Sequence, residues 1–249
     1  MKYRDLIDSA IKDHGADYCE VRIEETDNSR LTYRGKSLET IAQTSGLGGN
    51  VRAVTKGGWG FASFNSLDDL KAKIGDAVAQ SKAVGGTKTE IGEADPHVDV
   101  VPAHIVHDPA DVSLDEKKRI MDHYNDLVWS VDGINSADII YGDTSRKTFF
   151  GSSDGSYIEQ EQVHVISRIS AQARSGGDVQ QAGFSLGSQG DFDLIRDLDE
   201  QVVDAAKRAV ALLDAKSLEG GERTVILDPV LAGVFVHEAF GHLSEGDNV

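Results

Sequence analysis

The order of predicted elements repeats, and that repetition constrains the fold more than any single residue. An amphipathic helix from Tyr3 to His14 sets Leu6, Ile7, Ala10 and Ile11 on one face. Segments with strand patterning follow near Tyr18–Glu24, Ser29–Tyr33, Leu38–Thr44, Gly49–Thr55 and Gly60–Asn65. A helix from Leu67 to Ala83 then turns Leu70, Ile74, Ala77 and Val78 to one side. The same order returns in the second half. A helix spans Leu114 to Trp129, with Ile120, Tyr124, Leu127 and Val128 at helical spacing. Strands are predicted near Ser136–Tyr141, Lys147–Gly151, Tyr157–Gln162, Val163–Arg174 and Gln181–Leu186, and a helix from Leu198 to Leu213 closes the half. Leu38-Glu39-Thr40 answers Ile158-Glu159-Gln160, and Gly60-Phe61-Ala62-Ser63 answers Gly183-Phe184-Ser185-Leu186. A separation of about 120 residues is too long for a solenoid repeat and fits a duplicated unit. The expected class is α+β: a duplicated helix–antiparallel-sheet–helix unit, then a strand and a buried motif helix. The expected organisation is a first α+β repeat over 1–86, a linker over 87–112, a second repeat over 113–216 and a closing segment over 217–249. The linker holds Pro96, Pro102 and Pro109, three of the four prolines, which is why it reads as a connection.

The closing segment carries the chemistry. Arg223-Thr224-Val225-Ile226-Leu227 reads as a buried strand. Asp228 fits a helix N-cap and Pro229 the first helical position. Val230 to Val236 is apolar on nearly every side, which predicts a helix buried on both faces. That helix delivers His237-Glu238-Ala239-Phe240-Gly241-His242. Neutral imidazoles hold a divalent metal, and an adjacent carboxylate takes a proton from the water it activates. The residues therefore read as metal ligands His237 and His242 with Glu238 as general base of a metal-activated hydrolase. Imidazole ligands suit zinc, with iron as the second choice.

The spacing of the two histidines is unusual. The common zinc-protease pattern sets them at i and i+4 on one helical face; here they stand at i and i+5. At about 100° per residue the rings of a regular α-helix would point roughly 140° apart. They converge where the helix widens into a π turn, or where it breaks near Gly241. The alternative is a regular helix with two unrelated histidines. Glu245 and Asp247 add carboxylates to the same neighbourhood.

The run from Val225 to Asp247, with HEAFGH at its centre, resembles the signature of the TldD/PmbA metallopeptidase family, also called modulators of DNA gyrase. Gly57-Gly58-Trp59-Gly60-Phe61-Ala62-Ser63-Phe64-Asn65 and Ala16-Asp17-Tyr18-Cys19-Glu20-Val21-Arg22 resemble the family too. The resemblance covers the whole chain and implies its N-terminal part, of the metal-bearing TldD-like kind. It implies that a C-terminal domain supplies a cysteine as third ligand; Cys19, the only cysteine here, lies on a predicted strand near the start. The chain is thus expected to be truncated and to hold metal weakly by itself. The resemblance further implies a peptide or unfolded-polypeptide substrate bound in extended form. It implies assembly with a related family subunit as a hetero-oligomer, or with itself. A second reading is a non-catalytic peptide-binding or heteromer-forming module of the same family.

Composition narrows the partners. There are 42 acidic against 25 basic residues and a net charge of −17, which argues against nucleic acid, whose phosphates are bound by basic patches. A single cysteine excludes an intramolecular disulfide framework and suits a reducing compartment. The charged start Met1-Lys2-Tyr3-Arg4-Asp5 lacks a signal-peptide core, and no apolar run reaches the ~18 residues of a membrane helix. The expected location is cytoplasmic, with no membrane partner.

Other motifs carry less. His104 and His107 have H-x-x-H spacing, but in a Pro-rich linker they read as solvated. Gly183-Phe184-Ser185-Leu186-Gly187 has the letters of a nucleophile elbow but no helix directly after it, and His164 is the only nearby base. Asp17, Glu20 and Glu24 read as the solvent face of the first strand. Gly46–Asn50 and Ser175–Asp178 read as turns or bulges, and Trp59 as part of a turn.

Overall fold

The computed structural model describes residues 1–84, 91–92 and 94–246. They form two units, residues 1–214 and the segment from 215 onward. In the first unit the elements are α1 (Arg4–Ile11), β1 (Tyr18–Arg34), β2 (Ser37–Thr55), β3 (Gly58–Phe64) and α2 (Leu70–Val84). After β4 (Val98–Val101) come α3 (Leu114–Trp129), β5 (Ile134–Ser152), β6 (Tyr157–Ser175), β7 (Asp178–Gln189) and α4 (Asp199–Ala211). The architecture is α+β, as expected, and strands of both halves join one seven-stranded sheet. Its order is β3-β2-β1-β5-β6-β4, with β7 also paired to β6. All pairings are antiparallel except β4 with β6. The expected linker thus contributes a strand, and its residues 87–90 and 93 lie outside the described ones.

The strands are longer than the sequence pattern indicates. The segments predicted as separate strands merge into β1, β2, β5 and β6. The reason is visible at Glu25–Asn28, where apolar alternation lapses. These residues keep partners on both sides, Thr44 to Leu47 of β2 and Thr144 to Lys147 of β5. Backbone pairing with two neighbours sustains a strand whatever its side chains are. Gly46–Asn50 is accordingly not a turn. It lies within β2, where a Cβ on Gly49 would come 2.3 Å from the Arg22 carbonyl oxygen and 2.4 Å from the Phe64 ring. Ser175–Asp178 does enclose a hairpin turn, with Gly176 at φ 59°. The Lys56-Gly57 turn has φ 48° and 79°, the left-handed pair a tight hairpin favours. Trp59 is past that turn, inside β3, with its ring 5.4 Å from the Arg52 guanidinium.

Alternate residues of β1 build the core against helices. Cys19, Val21 and Ile23 pack with α1 and α2, whereas Leu31 and Tyr33 pack with α3 and α4. Between these two apolar clusters the register brings Ser29 opposite Asp143, and Lys117 of α3 reaches both. Glu20 departs from its expected place on a solvent face. It is buried, accepting hydrogen bonds from Arg52 Nε and the Tyr18 hydroxyl, each at 2.6 Å. Both partners are needed because a buried carboxylate without them is costly.

In the second unit α5 (Pro229–Val236) is followed by a π-helical turn, His237–Gly241, and a 3₁₀ turn, His242–Ser244. Two expectations fail here. Residues 223–227 form no strand among the described residues, since no neighbouring strand satisfies their backbone groups. No residue of α5 is buried: among the described residues no apolar layer covers this helix.

Candidate metal centre

The site begins at a cap. Asp228 accepts a hydrogen bond from the Leu231 N–H at 2.8 Å, and Pro229 occupies the first turn, where a missing N–H costs nothing. The helix then runs to Val236 and widens. The His242 N–H donates to the His237 carbonyl, an i→i+5 bond that replaces the α-helical one. This aligns the two histidines, whose ring centroids lie 4.6 Å apart at an interplanar angle of 85°. Glu238 stands beside them, with its Oε2 3.8 Å from His242 Nε2. One ligand atom from each of His237, Glu238 and His242 lies within 4.8 Å of the others, and all three side chains are exposed.

Two imidazole nitrogens suit a borderline divalent cation such as zinc or iron, with the Glu238 carboxylate beside them within reach of a metal-bound water. All three residues singled out from the sequence come together. Glu245 has a more specific place than a nearby carboxylate: its Oε1 is 2.7 Å from His242 Nδ1. Its position three residues past His242 is the signal that could have found it. Asp247 lies outside the described residues.

Elsewhere the weaker motifs find ordinary roles. Ser185 is in the middle of β7, paired with Arg168, so no strand-to-helix elbow exists there. His107 Nδ1 contacts Asp191 at 3.0 Å and Asp193 at 3.3 Å, which ties the connecting segment to the residues after β7. Cys19 is buried, and that burial pushes its thiol pKa up to about 11.

Comparison with known proteins agrees with this fold. Models of PmbA/TldA metallopeptidase domain 1 and of the PmbA/TldA metallopeptidase central domain match residues 19–84 and 107–213, together more than half of the sequence. The chain belongs to the PmbA/TldD family. It is 35% identical over 234 residues to a metalloprotease of Synechocystis, covering 93% of this chain and 50% of that protein. A metalloprotease of Methanocaldococcus jannaschii is 34% identical over 94% of this chain and 52% of its own length. A Saccharolobus solfataricus protein named zinc metalloprotease TldD homolog is 24% identical over 94% and 51%. The chain thus spans about half the length of the curated relatives it matches. Among solved structures, a Bacteroides thetaiotaomicron protein described as a modulator of DNA gyrase superposes with a TM-score of 0.82 at 18% identity, over 97% of this chain and 57% of that one. TldE from Thermococcus kodakarensis gives 0.63 at 15%, over 84% and 47%. At these identities the likeness is one of fold.

Proposed function

We propose that the chain is the metal-bearing part of a peptidase that hydrolyses peptides or unfolded polypeptides. The observation that carries this reading is the π turn, which brings His237 and His242 together beside Glu238. The two imidazoles would hold the cation, zinc in the first instance and iron as the alternative, and a third protein ligand would come from residues outside this sequence. When bound, the metal supplies Lewis acidity that activates water and polarises the scissile carbonyl. Glu238 takes the proton of the attacking water and later delivers it to the leaving amine. The relative named a zinc metalloprotease supports zinc, and the family membership supports a peptide substrate.

The same reading includes a related family chain as partner in a hetero-oligomer, with self-association as the alternative, and a cytoplasmic location. No helix among the described residues is long and apolar enough to cross a membrane. It also includes the partition into repeats 1–86 and 113–216, for which the repeated order α1-β1-β2-β3-α2 and α3-β5-β6-β7-α4 is the support.

The deciding experiment is Glu238→Gln in the polypeptide that contains this sequence and completes the ligand set. Hydrolysis of an unfolded polypeptide should vanish while the metal content stays, because the amide keeps the shape but cannot take the proton. Wild-type rates in that variant would remove Glu238 from the mechanism, whereas no hydrolysis by the wild-type polypeptide itself would favour the non-catalytic module that binds peptide or a partner chain.

A further inference from the structure

We propose that Glu245 is a positioning residue for His242: it accepts the Nδ1 hydrogen and so holds the ring in the tautomer whose Nε2 lone pair faces Glu238. The purpose of this arrangement rests on the metallopeptidase reading; its geometry does not. The contact is made by a local reversal of the chain. After the 3₁₀ turn His242–Ser244, Glu245 leaves the helix with φ −71° and ψ 143°, and its N–H still donates to the His242 carbonyl. Ser244 Oγ donates to the Phe240 carbonyl at 2.9 Å and fastens the same turn. The Glu245 side chain thereby returns to the ring, with Oε1 2.7 Å from Nδ1.

An ionised carboxylate can only accept a hydrogen bond, so Nδ1 must be the donor. A neutral imidazole carries one ring hydrogen, which leaves Nε2 with its lone pair. Nε2 is also the nitrogen that lies 3.8 Å from Glu238 Oε2. A carboxylate behind a ligating histidine fixes the tautomer and the ring orientation and raises the basicity of the ligating nitrogen. Without Glu245 the ring would return to the ordinary preference of a neutral imidazole for hydrogen on Nε2, which hides the lone pair a cation needs.

The test reads the tautomer and the metal separately. Long-range proton–nitrogen correlation spectra of the ¹⁵N-labelled metal-free chain are recorded at about pH 8.5, two units above the ordinary imidazole pKa of roughly 6.5. Wild type should show His242 with hydrogen on Nδ1, Glu245→Ala should move it to Nε2, and Glu245→Gln should keep it on Nδ1, because the amide oxygen still accepts. Zinc titration of the same proteins should show the dissociation constant rising roughly 10–100-fold in Glu245→Ala, and less in Glu245→Gln. Hydrogen on Nε2 in the wild type overturns the proposal, as does an alanine variant with unchanged tautomer or unchanged zinc affinity. His237→Ala is the separate control. If it leaves zinc binding untouched, the metal reading fails, while the tautomer spectra still decide what Glu245 does to His242. Should the alanine variant lose its helix, Glu245→Met, which keeps the side-chain length but offers no oxygen acceptor, carries the same comparison in a folded protein.

Discussion

Replacing Asp143 by alanine should destabilise the chain far more than the loss of one ion pair suggests. Lys117 is 1% exposed and Asp143 9%, so both charges are out of water. Lys117 Nζ donates to Asp143 Oδ2 at 2.7 Å and to Ser29 Oγ at 3.2 Å. The Tyr141 hydroxyl donates to the same Oδ2 at 2.5 Å, and burial followed by that hydrogen bond holds its phenol well above the ordinary tyrosine range. In Asp143→Ala the buried ammonium keeps one hydroxyl and the Tyr141 ring, 5.8 Å from its centroid. Leaving one member of a buried pair uncompensated costs about 3–5 kcal/mol. For a unit of this size each kcal/mol moves the melting temperature by about 2–4 °C, so the midpoint should fall by roughly 6–20 °C. Replacing the whole network by apolar groups should behave differently. Lys117→Met with Asp143→Leu and Tyr141→Phe removes the charges together with the hydroxyl that would lose its acceptor, and should recover most of the loss. Urea unfolding at pH 7, followed by tryptophan fluorescence, measures both. A loss below about 1 kcal/mol in Asp143→Ala, the size typical of exposed pairs, would refute the reasoning. So would a triple variant no more stable than the single one.

Two further outcomes follow from close packing and burial in the same unit. A Cβ on Gly60 would lie 1.8 Å from the Ala77 carbonyl oxygen of α2, so Gly60→Ala should lower stability by about 3 kcal/mol, the upper end of ordinary overpacking; an unchanged urea midpoint would mean that α2 moves aside freely. Burial raises the Cys19 pKa from 9.0 to about 11, so folding favours the neutral thiol. That contribution is complete below pH 9 and is lost as pH rises to about 11, because the unfolded chain ionises first. Wild-type stability minus that of Cys19→Ala should therefore shrink across this window, and a constant difference would contradict the burial of the thiol.

Several features were determined by local sequence alone. The helix Leu114–Trp129 was read with both ends where α3 has them, because its apolar spacing is a local signal; the structure adds the Ser113 cap, whose side chain accepts from the Glu116 N–H. Asp228 and Pro229 marked the start of α5 for the same reason. The i, i+5 spacing of His237 and His242 required a distortion of the helix if the rings were to meet, and the π turn is that distortion. Tertiary structure decided what depends on partners distant in the chain. Glu25–Asn28 belongs to a strand only because β2 and β5 pair with it on both sides. Glu20 is buried rather than solvated because Arg52 and Tyr18 meet its carboxylate. Lys117 is buried because β1 and β5 present Ser29 and Asp143 to it. The apolar run at 223–227 shows the converse. Side-chain pattern nominates a strand, but only a neighbouring strand can satisfy its backbone hydrogen bonds and make it one.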